Sequence, residues 1–212
     1  MMEVGNTLPP NHAAAKAPVL THDESMVHFG LWSITSSPLV LGFDVTNDTM
    51  LSASWDIISN SEALDVNQAW FGHPGYLIRT ATTTFNATVF HGASNDIKDP
   101  PSRLPSWQAW AKPQAHDNST MAVFIGNYHP TDLQKDSLSL LELGFPKSHG
   151  VKTVRDVWKH SSCVVQNSVG GGAGSNCGLS GARGEEQLTF ALGPRKSLFL
   201  ILETVARDAR PG

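Results

Sequence analysis

Charge is scarce in this chain, and the scarcity narrows the field. Asp, Glu, Lys and Arg make up 16% of the 212 residues, and the net charge is −4 with the two signs interspersed. There is no basic stripe to neutralise phosphates, so neither nucleic acid nor an anionic membrane surface is an expected partner. Long apolar runs are missing too: no stretch reaches the roughly 18 residues that a membrane-spanning helix needs. The first 20 residues carry acids, prolines and a short alanine run, without the basic start and apolar core of a signal peptide. Internal repeats are absent. Cysteine is limited to Cys163 and Cys177, which lack the pair-of-pairs pattern of a zinc site, and the nine histidines are scattered without ligand or catalytic spacing. "GLSGARG" is not a G-x-S-x-G elbow, and the glycine run at 170–174 lacks the lysine of a phosphate loop. No metal and no organic cofactor is therefore expected.

What is present points elsewhere. Asn47-Asp48-Thr49, Asn86-Ala87-Thr88 and Asn118-Ser119-Thr120 are three glycosylation sequons. Together with the cysteine pair they lean toward a secreted, lysosomal or vacuolar protein. Two free thiols and chance sequons are the alternative. If Cys163 and Cys177 pair, they close a loop of about 15 residues, worth roughly 3 kcal/mol in the entropic view. A secretory protein without a leader is a contradiction, which leads us to expect that the sequence is part of a longer one.

Two textures divide the chain. Up to about residue 73 it is α/β. From Ser25 the apolar residues Met26, Phe29, Leu31, Trp32 and Ile34 recur at mostly helical spacing until Pro38. "PLVLGFDV" (38–45) is apolar at successive positions, the pattern of a strand covered on both faces in a parallel sheet. A helix near 50–59 and a second short helical stretch follow. Beyond Gly72, runs of five to eight residues alternate with turn residues: 76–82, 85–92, 106–113, 120–128, 137–143, 152–159, 186–192 and 196–203. These read as an antiparallel sandwich large enough to fold by itself. The expected organisation is an α/β segment over 1–73, a β-sandwich over 74–205 and a disordered tail over 206–212.

One strand and its helices cannot bury themselves. Leaving Leu39, Val40, Leu41 and Phe43 wet would forgo about 1.5–3 kcal/mol each. The expected solution is that residues 1–73 are the last βα units of a larger (β/α)8 barrel.

Six stretches then carry a resemblance: "MMEVGN", "HFGLWSITSSPLVLGFDV", "ISNSEALDVNQAWFG", "WQAWAKP", "STMAVFIGN" and "VRDVW". In that order they resemble the C-terminal half of the α-galactosidase and α-N-acetylgalactosaminidase family, the melibiases of glycoside hydrolase family 27. The resemblance implies an α+β fold, the end of a TIM barrel followed by an antiparallel sandwich. It also implies retaining hydrolysis of terminal α-galactosides by two aspartates. In the family both aspartates precede the segment matching "MMEVGN", so no catalytic residue is assignable in this chain. The chain would be inactive alone, its intact parent acting on an α-galactoside or N-acetyl-α-galactosaminide. A non-catalytic carbohydrate-binding or structural sandwich module is the alternative.

Individual residues follow from the same likeness. Met1 matches a substrate-contacting methionine, and Glu3, Gly5 and Asn6 end the penultimate barrel strand. Asp44 would stand at the barrel rim, the face where such enzymes build their sites. Its plainer role is to shape the turn before Thr46 and Asn47. Asn67 and Gln68 match a family pair that joins barrel to sandwich, yet Ala69, Trp70, Phe71 and Gly72 replace the usual Asp-Pro-Leu-Gly. Trp32, Trp107, Trp110 and Trp158 could stack on sugars but are expected in the core. Trp107 and Trp110, three apart on a strand, should face opposite ways.

Overall fold

Residues 107–127 set the architecture. The strand β4 (Trp107–Pro113) turns into β5 (Thr120–Asn127), antiparallel in register from Trp107↔Asn127 to Pro113↔Met121. The computed structural model describes residues 2–7, 19–87, 102–165, 177–180 and 185–206. The other elements are α1 (His22–Ile34), α2 (Asp48–Ile58), α3 (Ser61–Gln68), β1 (Tyr76–Thr80), β2 (Thr84–Ala87), β3 (Ser102–Pro105), β6 (Gln134–Ser139), β7 (His149–Asp156), β8 (Ser161–Val164), β9 (Leu179–Ser180), β10 (Gln187–Leu192) and β11 (Ser197–Ala206).

Six strands form one antiparallel sheet in the order β1-β4-β5-β11-β7-β8. A three-stranded sheet, β6-β10-β9, covers one of its faces, and β2 and β3 make a separate ribbon. The alternation of side chains assigns the faces. Trp107, Ala109 and Ala111 of β4, Met121, Val123 and Ile125 of β5, and Leu200 and Leu202 of β11 point between the two sheets. There they meet Leu138, Leu188, Phe190 and Leu192. Ala122, Phe124 and Phe199 point the other way and are covered by Phe29 and Ile34 of α1 and by Ala63 and Val66 of α3. Trp110 also faces this second core, so Trp107 and Trp110 do point to opposite faces.

The helices are specified locally. Thr21 caps α1 and forms a capping box with Glu24. Asn47 and Asn60 cap α2 and α3. Gly30 lets α1 settle on the sheet, because a Cβ there would overlap the ring of Phe124. At the junction, Gly75 donates its N–H to the Ile34 carbonyl (2.9 Å). A Cβ on Gly75 would meet that same oxygen.

Several expectations need correction. "PLVLGFDV" is not a strand: it makes one isolated parallel bridge, Met2 to Leu41. Val40 is 50% exposed and Val45 52% exposed, since among the described residues the segment pairs with one neighbour where a double-faced strand needs several. Beyond these residues, helices cover the outer face of the sandwich's larger sheet. Ala206 ends β11 and is not tail, and residues 207–212 lie outside the described residues. Three short strands, β3, β8 and β9, were not legible. Most of the glycine-rich stretch 169–184 lies outside the described residues. Its cysteine does not: Cys177 is disulfide-bonded to Cys163, Cα to Cα 5.6 Å.

Candidate functional site

The parallel bridge creates one end of interest. Met2 donates its N–H to the Val40 carbonyl (2.8 Å), so the segments after Met2 and after Leu41 leave in the same direction. Gly5, at φ +82°, turns the first segment where a Cβ would strike the ring of Phe43, 2.6 Å away. Asn6 donates its side-chain amide to Glu3 Oε2 (2.7 Å). The Glu3 N–H donates to His28 Nε2 (3.4 Å), which makes that nitrogen an acceptor. Burial pushes the His28 imidazole below its ordinary value, in keeping with a neutral ring. His28 also stacks on Trp32, with ring centroids 5.5 Å apart.

Asp44 lies at the same end. It is exposed, and its Oδ1 accepts the Thr46 hydroxyl (2.7 Å) and the Thr46 N–H (2.9 Å). These two bonds hold its carboxyl below the ordinary aspartate value. The group is therefore an anion near neutrality, able to accept hydrogen bonds or attract a cation but unsuited to donating a proton. Met1 lies outside the described residues; Glu3 and Asn6 are bonded to each other, and Asp44 follows Phe43, whose ring lies against Gly5.

A second constellation was missed by sequence reasoning. It holds α3 to the larger sheet at both ends. At the N-terminus the buried Asn60 donates to the Val157 carbonyl (3.0 Å) while its Oδ1 accepts the Ala63 N–H (3.1 Å). Glu62 receives a bidentate pair from Arg155, Nε at 2.9 Å and Nη2 at 2.7 Å, and lies 2.7 Å from His160 Nδ1. The Arg155 bond first, and the His160 bond after it, hold the Glu62 carboxyl below its ordinary value.

At the C-terminus of α3, Lys112 from β4 is 0% exposed and donates its ammonium to the Val66 and Asn67 carbonyls. A cation suits the negative end of a helix, but burial still pushes its pKa down to about 8. Asn67 in turn donates to the Ser37 carbonyl (3.0 Å) and the Trp32 carbonyl (3.3 Å), tying in the segment after α1. The one signal in the sequence was a lysine on the same strand face as Trp110, where a solvent-facing residue would be no surprise.

The remaining sequence candidates stay apart. Trp107 is buried between the sheets, edge-on to Phe190 (5.1 Å) and beneath the Arg79 guanidinium (5.6 Å). Trp158 packs edge-on against Phe199 (5.4 Å) and donates to Ser197 Oγ (3.2 Å). Asn47 is exposed as the cap of α2, Asn86 is exposed on β2, and Asn118 is half-buried at φ +56° in the β4–β5 turn.

Comparison with known proteins agrees with this architecture. Residues 105–176 match the family model described as "Alpha galactosidase C-terminal beta sandwich domain". Alpha-galactosidase 3 of Arabidopsis thaliana is 27% identical over 151 residues, 71% of this chain and 28% of its own length. Among solved structures, a family 27 β-L-arabinopyranosidase from Geobacillus stearothermophilus superposes with a TM-score of 0.61 at 19% identity, over 93% of this chain and 34% of that one. The α-galactosidase of Saccharomyces cerevisiae with raffinose gives 0.57 at 18%, over 96% and 46%. The solved structures thus share this chain's fold, which is built on an antiparallel sandwich. In sequence and in fold, the chain resembles the C-terminal portion of the α-galactosidase family, glycoside hydrolase family 27. It spans 28–31% of the length of the first two curated relatives that it matches.

Proposed function

We propose that this chain is the C-terminal part of a retaining α-galactosidase-type glycoside hydrolase of the secretory pathway, with residues 1–73 as the last units of its (β/α)8 barrel. The observation that carries this reading is the Met2–Leu41 bridge. Two segments separated by a helix pair in parallel and leave Val40 and Val45 exposed, in keeping with the β-α-β arrangement that such a barrel repeats. Asp44, Glu3 and Asn6 then belong to the rim on which the sugar site is built. Asp44, held ionised by Thr46, supports a neighbouring group there and does not donate a proton to the leaving oxygen. The substrate is a terminal α-galactoside or N-acetyl-α-galactosaminide.

Retention needs two carboxyl groups about 5–5.5 Å apart, and the family's two aspartates have no counterpart in this sequence. The chain by itself therefore has no hydrolase activity. Incubation of the purified chain with a chromogenic α-galactoside is expected to give no release above the uncatalysed rate. Turnover comparable with that of a complete family member would overturn the reading that this chain carries neither catalytic acid.

A further inference from the structure

The two sequons whose residues are all described, at Asn47 and Asn118, differ in local geometry. At Asn47 the side-chain Oδ1 accepts the N–H of Thr49 (3.1 Å) as well as that of Met50 (3.2 Å). The carboxamide and the hydroxyl residue two positions on are thereby folded toward each other. Asn47 is exposed, and the cap uses only its side-chain oxygen. A donor at Oδ1 draws charge onto the oxygen and eases proton loss from Nδ2. Asn118 offers a different picture. It is half-buried at φ +56°, and Thr120 is already paired into β5 opposite Glu203. For Asn86 the hydroxyl residue, Thr88, lies outside the described residues.

We infer that Asn47 is an N-glycan acceptor whose carboxamide serves two purposes at once, the oxygen capping α2 and the nitrogen carrying the sugar. In the transfer, Nδ2 loses one proton and bonds to the anomeric carbon of an oligosaccharide. The lipid diphosphate that carried the oligosaccharide leaves as the anion. The amide oxygen is untouched, so the cap survives modification. The inference rests on the secretory location proposed above, but it is tested without reference to hydrolysis.

The full chain, fused to a secretion leader, is produced in a eukaryotic cell. Its peptides are then analysed after enzymatic deglycosylation in heavy-oxygen water, which marks each occupied asparagine. The Asn47 peptide is expected to carry the mark. Asn47→Asp and Thr49→Ala should each remove one glycan's mass, while Thr49→Ser should retain it. Asn47→Asp keeps an oxygen acceptor for the cap, so its secreted yield and circular dichroism should match those of Thr49→Ser, which separates lost chemistry from misfolding. An unmarked Asn47 in the secreted chain would overturn the inference, and so would an unchanged glycan count in Asn47→Asp. Neither outcome touches the glycosidase reading, which the activity assay addresses separately.

Discussion

Lys112→Ala is expected to destabilise the chain by about 2–5 kcal/mol. The ammonium satisfies the Val66 and Asn67 carbonyls at the end of α3, in a place where no part of Lys112 is exposed. Removing it leaves buried acceptors without partners, at roughly 1–3 kcal/mol each. It also removes an aliphatic stem packed under the helices. Lys112→Met keeps most of that stem and relieves the desolvation of a buried charge, so it should cost about half as much.

The two substitutions share a pH signature. The folded-state pKa of Lys112 lies near 8, below the ordinary 10.5. Between these values the unfolded chain binds a proton that the folded chain has released. Stability from this group therefore rises with pH from about 8 to about 10.5, and is lowest below 8. Urea titrations followed by tryptophan fluorescence at pH 7 and pH 9.5 should show that rise in the parent and lose it in Lys112→Met. An equal rise in both proteins would mean that the lysine is not the buried cation described.

The second large effect concerns the helical layer as a whole. A fragment of residues 76–206 should fail to form a rigid sandwich, despite containing every strand. Without α1 and α3 the outer face of the larger sheet presents Ala122, Phe124 and Phe199, all fully buried in the chain, together with the partly buried Trp110, Trp158 and Ile201. Each large side chain forgoes about 1.5–3 kcal/mol when it is left in water. The total approaches the whole stability of a domain, about 5–15 kcal/mol. The expected fragment binds a hydrophobic dye and melts without a cooperative transition. A fragment with dispersed amide resonances and a sharp melt would show that the sandwich stands alone.

Most of the sandwich was legible in the sequence because half-buried strands announce themselves by alternation. The runs around β1, β4, β5, β6, β7, β10 and β11 fell where strands occur. β3, β8 and β9 did not show, having four, four and two residues, too few to display a period. β5 and β11 carry a further demand. "MAVFI" and "LFLIL" are apolar at successive positions, the very pattern that marked residues 38–45 as needing cover on both sides. Their apolar runs call for a second layer over the sandwich, which α1 and α3 supply. For residues 38–45 the pattern described a demand that this chain meets with a single bridge.

The candidate site was legible only through likeness. An exposed aspartate before a threonine is a common turn, and nothing local distinguishes Asp44 from others. The ties at α3 were invisible for another reason. Glu62 and Arg155 lie 93 residues apart, and Lys112 lies 46 residues from Val66. Pairings at such separation depend on the packing of α3 against the sheet, which no short-range pattern encodes.

Native-state hydrogen exchange tests the central claim most directly, namely that the helical segment and the sandwich form one cooperative unit joined at α3. The slowest amides of α1 and α3 should open with the same free energy as those of β5 and β11, and all should fall together in Lys112→Ala. If the helix amides exchange through a much cheaper opening while β5 and β11 keep full protection, the two parts are separate bodies and the account is wrong.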